Sequence, residues 1–118
     1  MPAAKLKLKI DQGSDFVKSL TWKAGDPTPV PVDITGFTAR MQLRQTVTSS
    51  TVLLELTTEN GGITLGGVLG TINIAATAVQ TAALTQKSAV YDLEMVYPGG
   101  AVRRLIEGTV TISPEVTR

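Results

Sequence analysis

The 118-residue chain has no cysteine and no histidine. Without cysteine there is neither a disulfide framework nor a thiolate metal site. Without histidine the commonest general base and metal ligand is missing as well. Aromatic residues are scarce, limited to Phe16, Trp22, Phe37, Tyr91 and Tyr97. No unbroken apolar run reaches the length of a signal peptide or a membrane span. Charge of one sign is lacking too, since 11 basic residues face 10 acidic ones for a net charge of +1. No whole-molecule field therefore draws the chain to nucleic acid or to an anionic membrane, and partners are expected to be found by shape. These absences imply no metal and no cofactor, and they describe a protein made soluble inside the cell.

What the chain does have is a β-branched load. Threonine, valine and isoleucine account for 36 residues, a composition that favours half-buried pleated surfaces over helices. The length suits one compact core and is short for two domains, so residues 1–118 are read as a single domain. Lys5 to Ile10 alternates strictly, with Leu6, Leu8 and Ile10 on one face and Lys5, Lys7 and Lys9 on the other. This predicts an extended N-terminal strand whose lysines form either a solvated, protected edge or a binding patch. Phe16 to Trp22 reads as a second strand, interrupted on its apolar face by Lys18, which is expected near the sheet end. Pro27, Pro29 and Pro31 make residues 24–31 a stiff, exposed, extended loop. Phe37 to Arg44 is the cleanest half-buried strand, and Arg40 and Arg44 on its polar face point to cross-strand carboxylate partners.

Further strands are expected at 52–57, 63–65 and 71–75, with Glu59-Asn60-Gly61-Gly62 as a tight turn. Thr77 as an N-cap before an alanine-rich stretch predicts a short helix over 77–84. The closing hairpin carries the strongest register signal. A two-residue loop at Gly99-Gly100 sets Tyr97 against Val102, Leu93 against Ile106 and Ala89 against Val110. The same register puts Tyr91 over Gly108 and Arg103 opposite Val96, diagonal to Glu94. The fold class is thus all-β: an Ig-like antiparallel β-sandwich of seven or eight short strands with one short helix and a short C-terminal tail.

Catalytic chemistry finds little support. The ten carboxylates are scattered, and the nearest strand-borne pair, Asp92 and Glu94, is explained more simply by a cross-strand ion pair with Arg103 than by acid–base work. The six serines have no histidine to activate them. The paired glycines lie in turns of a β pattern, with no phosphate-loop lysine or dinucleotide-binding helix behind them. Trp22 and Tyr97, at strand ends, are the aromatics a sugar platform could use, although core or rim packing is the simpler reading.

The order of several motifs carries a resemblance. Gln12-Gly13-Ser14-Asp15-Phe16, then Trp22, then Pro31-Val32-Asp33-Ile34-Thr35-Gly36-Phe37-Thr38-Ala39, is similar to a module of tailed bacteriophages. Its usual form is a QGD-type start, a tryptophan strand and a P-V-D-L-T-G-Y-T-A strand entry. Ser14 stands here where that form has aspartate. The match continues through residues 56–63 and 91–94 to Glu107-Gly108-Thr109-Val110-Thr111-Ile112-Ser113-Pro114. The chain resembles small phage virion proteins and, more distantly, the N-terminal domain of upper-baseplate proteins that attach receptor-binding parts to a tail. The resemblance implies a non-enzymatic virion structural protein, synthesised in the host cytoplasm. Its partners would be other virion proteins in tail, fibre or capsid, and it would form a homo-oligomer in the particle. A tail, baseplate or fibre-attachment adaptor is the first reading. A capsid decoration protein is the alternative, and a carbohydrate-binding module a second one. Contacts are expected at the chain ends and the proline loop, through Lys5, Lys7, Lys9, Pro27, Pro29, Pro31, Glu115 and Arg118.

Overall fold

In the computed structural model, which describes residues 3–25 and 27–117, alternation of apolar and polar side chains has produced two facing sheets. Strands of three or more residues are β2 (Leu8–Asp11), β3 (Phe16–Thr21), β6 (Thr38–Arg44), β7 (Leu54–Thr57), β8 (Ile63–Leu65), β9 (Thr71–Ala76), β10 (Ser88–Val96) and β11 (Val102–Ser113). Three two-residue strands, β1 (Ala4–Lys5), β4 (Lys23–Ala24) and β5 (Val30–Pro31), supplement them. The larger sheet runs β1-β11-β10-β6-β7, with β2 also on β11, and the smaller one runs β3-β9-β8. Their inner faces meet in one core that includes Met41, Leu43, Leu56, Ile72, Leu93 and Met95, each at most 1 % exposed. The β-sandwich expected from composition and periodicity is therefore present. The short helix is α1 (Ala78–Ala82), opened by a Thr77 capping box in which Gln80 bonds back to the Thr77 amide.

Two features depart from the expected all-antiparallel arrangement. The N-terminal strand breaks at Leu6 into β1 and β2, and both pieces run parallel to β11, pairing Ala4 with Ile106 and Leu8 with Val110. The proline segment is not a simple loop either. Lys23 pairs with Pro31 and Ala24 with Val30, making β4 and β5 a small ribbon of its own. Lys18 is half-buried on the inner side of the edge strand β3, opposite Ile74.

The closing hairpin keeps the expected register for its outer half and loses it near the turn. Ala89 faces Val110, Tyr91 faces Gly108 and Leu93 faces Ile106. Beyond Leu93 the pairing slips by one, so that Val96, not Tyr97, faces Val102, and Arg103 faces Met95 instead of Val96. The cause is the loop. Tyr97 closes on Ala101 with an N–H···O bond of 2.8 Å, leaving Pro98, Gly99 and Gly100 as a three-residue turn with Gly100 at φ +98°. One extra residue, at Leu105, must then bulge out of the ladder. Because side-chain direction has period two, the slip turns Arg103 from the outer face to the inner one. There its guanidinium lies 5.4 Å from the Trp22 ring centroid.

Tyr91 is buried, as the register argument requires, and it does more than cover Gly108. Its hydroxyl donates a 2.7 Å bond to the Leu6 carbonyl on the far side of β11. A Cβ on Gly108 would overlap that same carbonyl oxygen. Gly108→Val is therefore expected to cost about 1–3 kcal/mol by overpacking, displacing the N-terminal strand; chemical denaturation of the two proteins measures it. Burial also pushes the Tyr91 phenol up to about 12 from its ordinary 10.0. With the folded value raised, the neutral phenol's contribution to stability is intact below pH 10 and is lost as pH rises toward 12. A Tyr97→Phe protein, left with Tyr91 as its single tyrosine, should show a phenolate absorbance midpoint near 12. A midpoint near 10 would place that phenol in water.

Candidate protein-contact surfaces

The outer face of the larger sheet forms an open cleft of about 700 Å³ bordered by charged side chains. Lys5, Arg40 and Arg104 are matched by Asp92, Glu94 and Glu107, while Arg44 and Glu55 meet neutral partners. Arg40 Nε donates to Glu94 Oε1 at 2.7 Å and Gln42 Nε2 to Glu55 Oε2 at 2.6 Å. Arg44 donates to Gln42 Oε1 at 2.9 Å and to the Ser49 carbonyl at 2.7 Å. Arg104 reaches Asp92 at 3.4 Å and Glu107 at 3.0 Å, and Lys5 closes the series on Glu107. Bonds from Lys5 and Arg104 hold the Glu107 carboxyl below its usual range, while burial and then the neighbouring Glu94 push Asp92 upward against the pull of Arg104. The Asp92–Glu94 pair is thus part of an ion-pair ladder, with Arg40 and Arg104 as partners; Arg103, the expected partner, is on the opposite face. Among the described residues no group of three or more histidine, cysteine, aspartate or glutamate side chains is placed to hold a metal ion.

The three expected contact segments are not gathered into one site. Lys7 and Lys9 are exposed, and Lys9 lies 3.8 Å from Asp11. Lys5 is exposed but engaged by Glu107. Pro27, Pro29 and Pro31 are all exposed on the β4–β5 ribbon. That ribbon follows the far end of β3, which at six residues separates it by about 20 Å from the turn after β2. Arg118 falls outside the described residues. Glu115 is not part of a loose tail: its amide donates to Gln12 Oε1 at 2.9 Å and its carboxylate rests against Gly13.

That last contact belongs to a corner that residue-by-residue reading missed. Gln12 also donates to the Ala82 carbonyl at 3.2 Å. The Gly13 amide donates to Thr81 Oγ1 at 3.0 Å, and Thr81, fully buried, donates to the Ser14 carbonyl at 2.7 Å. Asp15 accepts the Ala78 amide at 2.8 Å, at the start of α1. The Gln12-Gly13-Ser14-Asp15 run therefore joins the first strand, the helix and the C-terminal segment at one point. The signal for it in the sequence was the position of this run at the head of the ordered motifs.

At the opposite end the aromatics pack on one another. Trp22 meets Phe37 edge-on with centroids 6.1 Å apart, and Phe37 lies 4.6 Å from Tyr97. With Arg103 over Trp22 as well, both rings proposed for a sugar platform are engaged within the domain. Among the described residues no helix is long and apolar enough to cross a membrane.

A sandwich with self-neutralised faces and exposed strand edges defines a small β domain whose outward resources are backbone, shape and a projecting ribbon. The chain belongs to the LtfC-like beta-sandwich domain family, whose model matches residues 2–113. That membership makes it a phage tail-related structural domain. A search of curated proteins finds no match. If the corner positions helix and chain end as described, Gln12→Ala should lower stability by about 1–2 kcal/mol through its two lost bonds, and Asp15→Ala by about 1 kcal/mol. Denaturant midpoints check both; unchanged values would make the corner incidental.

Proposed function

We propose that this domain is a non-catalytic adaptor of the phage tail, joining neighbouring virion proteins at a baseplate or fibre attachment. Membership of a tail-related family over residues 2–113 is the observation that carries this reading. The charge arrangement supports it, because the strand-borne acids Asp92, Glu94 and Glu107 are engaged by Arg40, Arg104 and Lys5 across the sheet. The exposed N-terminal lysines Lys5, Lys7 and Lys9 and the ribbon prolines Pro27, Pro29 and Pro31 are the contact candidates. The ribbon suits docking, since proline-rich backbone loses little conformational freedom when it binds. Glu115 acts within the domain, stabilising the corner from which the chain end departs.

On this reading the domain would sit in the virion, in a symmetric homo-oligomeric ring with its partners. Counting copies per purified particle by quantitative mass spectrometry tests this. A closed ring holds a small fixed number of copies, on the order of a dozen or fewer, and that stoichiometry is expected. Hundreds of copies would overturn the adaptor reading in favour of capsid decoration. Shortening the ribbon between Ala24 and Val30 is expected to leave the sandwich folded and to lower incorporation into particles.

A further inference from the structure

The larger sheet ends at β7 on one side and at the N-terminal strand on the other, and only one of these edges is sealed. At β7 the Asn60 side chain accepts the Thr57 amide at 2.9 Å and donates to the Glu55 carbonyl at 3.0 Å. These are edge-facing groups, because Thr58, one residue along, gives its amide to β6 at Ala39. In the smaller sheet, β8 has three residues, and β3 carries the inward-pointing Lys18, a recognised guard against strand addition.

Among the described residues no side chain plugs the N-terminal edge in this way. Leu6 gives its amide to the Glu107 carbonyl at 3.0 Å and Gln12 gives its own to Ser113 at 2.9 Å, with Leu8 and Ile10 in register between them. Even-numbered residues therefore face β11, and the backbone groups of Lys5, Lys7 and Lys9 point away from the sheet. The gap at Leu6 and Lys7 between β1 and β2 leaves the edge in one register, since Ala4 with Ile106 and Leu8 with Val110 keep the same offset. Side chains divide the same way. Leu6, half-exposed, and Leu8 line the inner side of this edge, and the lysines line the outer side. Glu107 occupies Lys5, whereas no ion pair among the described residues includes Lys7.

We infer that the edge running from Lys5 to Lys9 is a strand-addition site for an extended segment alternating apolar and acidic residues. The added backbone bonds to the outward groups of Lys7 and Lys9. Its apolar side chains extend the core beside Leu6 and Leu8, and its carboxylates meet the lysines. That the donor is a segment of a neighbouring virion protein rests on the adaptor reading. The edge itself does not, and a test on the purified chain separates the two.

The probe is a seven-residue peptide of alternating valine and glutamate, titrated into the isotope-labelled protein and followed by amide NMR shifts. Shifts centred on the Lys7 and Lys9 amides are expected, with none from an alternating valine–lysine peptide. Proline at both positions removes only edge-facing donors and leaves the β11 pairing intact, so Lys7→Pro/Lys9→Pro should bind at least about tenfold more weakly. Lys7→Glu/Lys9→Glu, which keeps every amide, should reverse the preference to the basic peptide. Absence of shifts at these amides, equal binding by the double-proline protein, or an unchanged preference after charge reversal would each overturn the proposal.

Discussion

The contact on which the rest of this domain depends is the Tyr91 side chain lying over Gly108 to bond the Leu6 carbonyl. It crosses three strands with one side chain, which is possible because the middle strand contributes no Cβ at that point. It fixes the β10–β11 register from inside the core and fastens the first strand to the last. Parallel pairing of chain ends is a long-range contact with a large loop-closure cost, so a specific anchor has more to do here than in a hairpin. A second anchor stands at the other end of β2, where Gln12 holds Ala82 and Glu115 together. Between these two fastenings the N-terminal strand is held straight along the sheet margin.

The polar surface follows a different logic. Ion pairs on an exposed sheet face contribute modestly to stability, and here they tie β10, β11, β6 and the N-terminal strand together across the outer face. The aromatic end is likewise self-packed, with Arg103 over Trp22 and Phe37 between the other two rings. On the proposed adaptor reading, recognition falls to the backbone of the sheet margin at Lys5 to Lys9 and to the proline ribbon that follows β3. The body measures 45 × 28 × 27 Å, and on that reading these two segments are where neighbours would dock.

Much of the architecture was legible in the sequence because it is written in local periodicity. Leu93 against Ile106, Tyr91 over Gly108 and the Thr77-capped helix follow from alternation, glycine placement and capping chemistry. The errors come from events that periodicity does not encode. A three-residue loop and a two-residue loop at Pro98-Gly99-Gly100 differ by one hydrogen bond, and that difference moved Arg103 across the sheet. The parallel partnership of β1 and β2 with β11, and the ribbon from Lys23 to Pro31, depend on contacts distant in sequence or on pairs too short to show a pattern. The corner at Gln12 and the seal at Asn60 were visible only as turn residues, since nothing in a single sequence states which carbonyl a side-chain amide will meet. Glu115 looked like part of a free tail for the same reason.

On the strand-addition proposal, the margin of the larger sheet beside β2 is where this domain meets its neighbour. A cryo-electron-microscopy map of the assembled tail tests it most directly. Density is expected for a further strand from an adjacent protein alongside Lys5 to Lys9, with its carboxylates next to the lysines. A map in which that margin faces solvent, while neighbours contact the domain through the ion-paired outer face, would contradict it.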